Sequence, residues 1–142
     1  MSEYASPRLE KTDPAPWDYR KFTWPMFVRL LAWAQEAAPR EHVTIYLVGS
    51  ALTKGRPRDI DIGVTIPVSE FEQRFGIKVR HDEEWATGTL ATFGNKNIDW
   101  ISLRGRLHSG AWRAVGTSRR VDLKVVPDVW WADKPRLLLA KP

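Results

Sequence analysis

The sequence predicts an α+β domain: a small mixed or antiparallel β-sheet with flanking helices. Three observations carry that expectation. Apolar residues between Met26 and Ala34 recur at helical spacing. Two segments, 43–48 and 60–66, are rich in β-branched residues or alternate cleanly between core and solvent. The second half then returns mostly to strand-like runs, an order that suits a sheet with helices packed on it. A chain of 142 residues is sized for one domain, which buries roughly two-thirds of the surface its unfolded form exposes. The expected division is a flexible N-terminal arm over 1–22 and a single domain over 23–142.

The elements follow in order. The arm is polar and carries Pro7, Pro14 and Pro16. Thr23 suits an N-cap and Pro25 the first helical turn. Met26, Phe27, Leu30, Leu31 and Ala34 form the apolar stripe, and Pro39 is expected to end the helix at the latest. Val43–Val48 (VTIYLV) is a buried strand closed by Gly49-Ser50. Ile60, Ile62, Val64 and Ile66 alternate as a second strand. Ser69 and Glu72 have capping-box spacing, Phe71 and Phe75 sit at i and i+4, and Gly76 fits the stop of a short helix. Beyond it, 77–80 is expected as a short strand. Residues 85–93 and 98–103 are expected as a hairpin turning through Gly94-Asn95-Lys96-Asn97. Residues 104–118 carry Gly and Arg without a clear period. Val121–Val126 is expected as the last strand, ended by Pro127, with an ambiguous tail.

Composition removes several chemistries. With no cysteine there are no disulfides, thiolate nucleophiles or Cys-ligated zinc. His42, His81 and His108 are too scattered to suggest a metal cluster. His108 and Ser109 have no acid partner at telling spacing, so a Ser-His hydrolase is a poor fit. The N-terminal residues show no apolar signal core, and no run approaches the ~18 apolar residues that span a bilayer. The expectation is a soluble cytoplasmic protein with no membrane partner. The net charge of +5 suits polyanionic ligands or a plainly basic surface. The basic stretch holding Arg104, Arg106, Arg113, Arg119, Arg120 and Lys124 is compatible with a nucleic-acid backbone or with an ordinary solvated face. Eight tryptophans read as core filling in preference to base stacking.

The informative stretch is Leu47–Val64, LVGSALTKGRPRDIDIGV. Side chains two apart on a strand share a face, so Asp59 and Asp61 project together while Ile60 and Ile62 enter the core. Paired carboxylates repel, and each favours holding a proton. A hard divalent ion relieves that repulsion and completes its shell with water and phosphate oxygens. Gly49 allows a sharp turn close to a ligand, and Ser50 offers a hydroxyl at the turn. Lys54, Arg56 and Arg58 are placed to neutralise a triphosphate.

A strand, Gly49-Ser50, and a following strand with Asp59 and Asp61 resemble the signature of the DNA polymerase β-like nucleotidyltransferase superfamily. The resemblance runs from Val43 to about Leu103, with a weaker continuation to Val126. It implies a minimal nucleotidyltransferase-like fold and a site that binds a nucleoside triphosphate with Mg²⁺ or Mn²⁺. Gly49, Ser50, Lys54, Arg56 and Arg58 would hold the nucleotide, and Asp59 and Asp61 the metal. A third carboxylate on a later strand is implied, both as metal ligand and as the catalytic group that takes the hydroxyl proton. Asp99, in NIDWIS, is the expected residue, and Asp122, in RRVDLKVV, is the runner-up. The implied activity is transfer of a nucleoside monophosphate to a hydroxyl on RNA (a tRNA end, for instance), on protein or on a small molecule. Very small members of the superfamily often work with a partner protein, toxin–antitoxin pairs among them. The competing expectation is a catalytically inactive module of the same fold that binds nucleic acid or a partner protein.

Overall fold

The computed structural model describes residues 9–15, 21–79, 96–116, 120–130 and 135–142. Its described elements are α1 (Trp24–Glu41), β1 (Thr44–Val48), a 3₁₀ turn (Gly49–Leu52), β2 (Ile60–Ile66), α2 (Val68–Phe75), α3 (Ile98–Val115), β3 (Val121–Pro127), a second 3₁₀ turn (Asp128–Trp130) and β4 (Arg136–Ala140). The four strands form one mixed sheet in the order β3-β2-β1-β4. β1 is antiparallel to β2 and to β4, whereas β2 and β3 run parallel. The α+β class with a small mixed sheet and flanking helices is therefore what the chain adopts.

The first half forms largely where its patterning places it. Thr23 caps α1, its hydroxyl accepting from the Met26 N–H at 3.4 Å, with Pro25 in the first turn. Met26, Leu30, Ala34, Ala37 and Ala38 are buried. Pro39 does not end the helix, which continues to Glu41 before His42 turns left-handed at φ 55. Proline removes one donor, and the segment it sits in is exposed enough for the freed carbonyl to reach water. The Arg74 guanidinium serves the final carbonyls, donating to Glu41 at 3.0 Å and His42 at 3.3 Å. In α2, Gly76 is the left-handed stop at φ 65. The expected capping box does not form: Pro67 precedes the first turn, and Glu72 accepts instead from the Val79 N–H at 2.9 Å.

The described parts of the arm lie against the domain. Leu9 packs on the core, Phe22 is fully buried, and Asp13 accepts from Thr23 and Arg29. The Phe22 N–H donates to the Gly55 carbonyl at 3.1 Å, tying this segment to the loop between β1 and β2.

The main departure is at 98–103. The hairpin expected there is replaced by the start of an 18-residue helix, α3. Asn97 caps it, accepting from the Trp100 N–H at 3.0 Å while its own amide donates to the Phe75 carbonyl at 2.8 Å. Residues 77–79 form no strand, and the first expected strand of the hairpin, 85–93, lies outside the described residues. β3 forms at 121–127 as expected, but it is not the last strand: the ambiguous tail supplies β4.

α3 lies along the free edge of β3. Trp100 Nε1 donates to the Val125 carbonyl at 3.2 Å, and Arg104 Nε to that of Leu123 at 3.0 Å. His108 Nε2 meets that of Val121 at 2.8 Å. The periods match, because four helical residues rise about 6 Å and two strand residues about 6.6 Å. Side chains thus satisfy the carbonyls that a lone edge would expose. Both long helices pack on the face that presents Ile45, Leu47, Ile60, Ile62, Val64, Leu123 and Val125, which are all buried.

Candidate carboxylate site

The opposite face of the sheet carries the polar residues. Register fixes its rows. Asp122 on β3 stands beside Asp61 on β2, Asp61 beside Val48 on β1, and Val48 beside Arg136 on β4. The next row inward reads Lys124, Gly63, Tyr46 and Leu138. Directly opposed residues point to one face, so Asp61 and Asp122 are neighbours at the end of the sheet where β1 leaves and β2 and β3 enter.

Burial and like charge act together on Asp61. Partial desolvation, then the charges of Asp122 and Asp59, push its carboxyl up to about 6, with Lys124 pulling the other way. Asp59 lies one residue before β2. Its Oδ1 is buried and, among the described residues, accepts no hydrogen bond, with Arg120 Nε as an ion-pair partner at 3.7 Å. The adjacent Ile60 N–H donates to the Arg120 carbonyl at 2.9 Å, which joins the entrances of β2 and β3.

The Gly49-Ser50 bend closes on the same carboxylate. Gly49 is left-handed at φ 73, and a Cβ built on it would overlap Asp61 Oδ2. Glycine is required here twice over, for its backbone conformation and for the approach of the acid. The Ser50 carbonyl accepts from the N–H groups of Thr53 and Lys54 at 3.1 and 2.9 Å, and buried Ala51 and Leu52 anchor the turn in the core. Lys54, Arg56 and Arg58 follow on an exposed loop.

No protein-family model, curated protein or solved structure matches this chain.

The structure therefore gathers Gly49, Asp59, Asp61 and Asp122, with the exposed basic loop joining Gly49-Ser50 to Asp59. It does not bring Asp99 to them. Asp99 lies in the first turn of α3, whose Trp100 meets Val125 at the far end of β3, whereas His108 meets Val121 next to Asp122. Nine helical residues separate Asp99 from His108, roughly 13 Å of axis. An acid in the first turn is favourable to the helix dipole, and that accounts for Asp99 where it stands. Asp122, the runner-up in the sequence, occupies the place beside Asp61.

Among the described residues, no three His, Cys, Asp or Glu side chains already form a metal cage. The donors fit a cation on other grounds: a buried carboxylate oxygen without a hydrogen bond, and a second carboxyl whose charge its two acidic neighbours disfavour. Hard oxygen donors of this kind suit Mg²⁺ or Mn²⁺. Sequence reasoning passed over Lys124 as a site residue and considered His108 only as a hydrolase residue, setting it aside. Lys124 is two positions beyond Asp122 and shares its face, a relation legible from strand alternation once β3 is assigned. His108 is placed only by the helix, so no sequence signal marks it.

Proposed function

We propose that this chain is a metal-dependent nucleotidyltransferase that moves a nucleoside monophosphate from a nucleoside triphosphate to a hydroxyl. The observation that carries the reading is the pairing of Asp61 with Asp122 against the Gly49 bend. Asp59, Asp61 and Asp122 are the residues that would hold Mg²⁺ or Mn²⁺. Such an ion, when bound, supplies Lewis acidity at phosphoryl oxygens and acidifies a hydroxyl.

The chain's own groups do the rest. Gly49 leaves room for Asp61 directly behind the bend, and the Ser50 hydroxyl is available to a phosphate oxygen. Lys54, Arg56 and Arg58 offset the charge of the triphosphate, and Lys124 adds a cation beside Asp122. The acceptor oxygen forms a bond to the α-phosphorus as the bond to the bridging β-oxygen breaks, and pyrophosphate leaves. Asp122 takes the acceptor's proton on a carboxylate oxygen. His108 holds the Val121 carbonyl from behind, so that Asp122 projects from a fixed strand. A carbonyl only accepts, so His108 Nε2 carries the proton of that bond.

The acceptor belongs to one of three classes: an RNA end, a protein side chain or a small molecule. A partner protein is a source of acceptor choice, and the cytoplasm supplies the triphosphate and magnesium. The test is to incubate the protein with labelled triphosphates, Mg²⁺ or Mn²⁺, and total RNA or protein extract. Label transfer that disappears with Asp61→Asn and with a chelator supports the reading. No transfer to any fraction, together with no metal-dependent triphosphate binding, would overturn it.

A further inference from the structure

Helix α3 turns an uncharged, largely apolar stripe to solvent. At about 100° per residue, Ile98, Ile101, Gly105, Ser109 and Trp112 share roughly 80° of its circumference, opposite the buried Leu103, Leu107 and Ala111. Ile98 is 77% exposed, Ile101 45% and Trp112 38%. Exposed aliphatic and aromatic side chains in one line, over roughly 21 Å of axis, mark an interaction face in a way that scattered ones do not. We propose that this stripe pairs with the same stripe of a second copy of the chain, α3 antiparallel on α3, the two helices crossing at Gly105.

The stripe is its own complement. Ile98 and Trp112 are equidistant from Gly105 along the helix, as are Ile101 and Ser109. A two-fold axis at Gly105 therefore sets each Ile98 against the second copy's Trp112, and each Ile101 against its Ser109. That is the self-complementarity an isologous interface needs. Within one chain Gly105 has no packing role: a Cβ there would meet open space, and glycine inside a helix costs stability relative to alanine. Gly110, by contrast, is accounted for by the Trp33 indole packed against it. A bare backbone at the crossing point lets a second helix come close.

Charge favours the same arrangement. Arg113 donates to the Ser109 hydroxyl at 3.1 Å and, among the described residues, has no carboxylate partner. Exposed Asp99 has no cation partner among them, and within one chain it serves only the helix dipole. Both lie on the flank of α3 that also carries Arg106. Antiparallel pairing about a two-fold axis brings like flanks together. It sets Arg113 of each copy within roughly 3 Å of axial rise of the other's Asp99, giving two ion pairs that neither copy makes alone. Arg106 comes near its own counterpart, but Glu41 already neutralises it through two bonds at 2.9 and 3.1 Å. One helix pair is a narrow interface, at the low end of specific ones, roughly 1,200 Å² or less in total. The dimer is accordingly a micromolar one that dissociates on dilution.

Sedimentation velocity over about 1 to 200 µM tests the pairing, with circular dichroism to establish that each variant is folded. Wild type should pass from monomer to dimer. Ile98→Glu adds an acid where a helix N-terminus favours one, and it should weaken the dimer about tenfold or more by setting a charge against Trp112. Arg113→Asp should weaken it too, and the double variant with Asp99→Arg should recover it, because the charges are then exchanged across the pair. The chain has no cysteine, so Gly105→Cys should give a disulfide-linked dimer on mild oxidation. Glu36→Cys, exposed on α1, should not. A monomer throughout the range overturns the pairing. So does a dimer indifferent to Ile98→Glu or to Arg113→Asp, a double variant that does not recover, or equal crosslinking of the two cysteine variants. A chain that stays monomeric and binds anionic lipid vesicles through Ile98 and Trp112 gives the stripe to a membrane surface and overturns it as well.

Discussion

Asp61 and Asp122 stand opposite one another on parallel neighbouring strands, and the carboxyl of Asp61 is held up to about 6 by burial and by the charges of Asp122 and Asp59. Like charges in directly opposed positions oppose sheet formation. Lys124, on the same face, supplies an opposing charge.

Under the proposed function, that relation makes Asp122 the third acid. Asp122→Asn is expected to abolish nucleotide transfer, with a fall of at least ~100-fold in turnover if Asp122 serves as general base. Asp99→Asn is expected to leave turnover within about twofold, its change confined to the small contribution of an acid at a helix N-terminus. Steady-state rates of label transfer decide it, and the opposite pattern would return the role to Asp99.

The carboxylate cluster also sets a pH dependence of stability. The folded pKa of Asp61 lies above its unfolded value, so between about 4 and 6 the native state binds the extra proton. Its contribution is then fully present below the unfolded pKa and is lost as pH rises through about 6. Asp61→Asn removes the charge, so this variant should melt a few degrees above wild type at pH 8. The gap should close towards pH 4 and narrow at pH 8 when Mn²⁺ is added to wild type. Metal affinity should run the other way, weakening as pH falls through about 6 because the ligand must be ionised. Melting curves across pH, with and without Mn²⁺, give both signs.

Gly49→Ala tests the bend. The substitution meets a positive φ and the Asp61 carboxylate at once. A left-handed non-glycine residue costs roughly 1–2 kcal/mol, and displacement of Asp61 adds a loss of metal-dependent nucleotide binding. Gly76→Ala shares the positive φ but has open space around it, so it should lose stability without losing binding. Denaturant unfolding and calorimetry on the two variants separate strain from site damage.

Asn97→Ala should destabilise by about 1–2 kcal/mol, since one side chain both caps α3 and holds the Phe75 carbonyl. A Ser at this position should recover the cap and not the bond to Phe75. Chemical denaturation of the three proteins measures the split.

The legible part of the fold is the part governed by local pattern. Thr23 and Pro25, the alternation of β2, and Gly76 each state their role within a few residues. The segment 98–103 misled because Ile98, Trp100 and Ile101 suit a strand by composition, yet Ile98 and Ile101 are exposed on a helix. The local signals for the helix are the Asn97 cap and the i, i+4 series Leu103, Leu107, Ala111 and Val115, most of which lies beyond 103, and the bonds from Trp100, Arg104 and His108 to β3 hold it in place. β4 went unassigned because Arg136–Ala140 lacks alternation, and its pairing with β1 includes a register shift between Ile45 and Tyr46. The Gly49, Asp59 and Asp61 part of the site was legible because it occupies one short stretch. Its completion by Asp122 was not, because it depends on which strand lies next to β2.

Parallel pairing of β2 with β3 places everything from 67 to 120 in the crossover between Asp61 and Asp122. The two acids meet only through a non-local strand pairing, of the kind that slows folding. An ion held by both strands would then act as a latch on the finished topology. Loading the protein with Mn²⁺ should slow its unfolding rate far more than it speeds refolding.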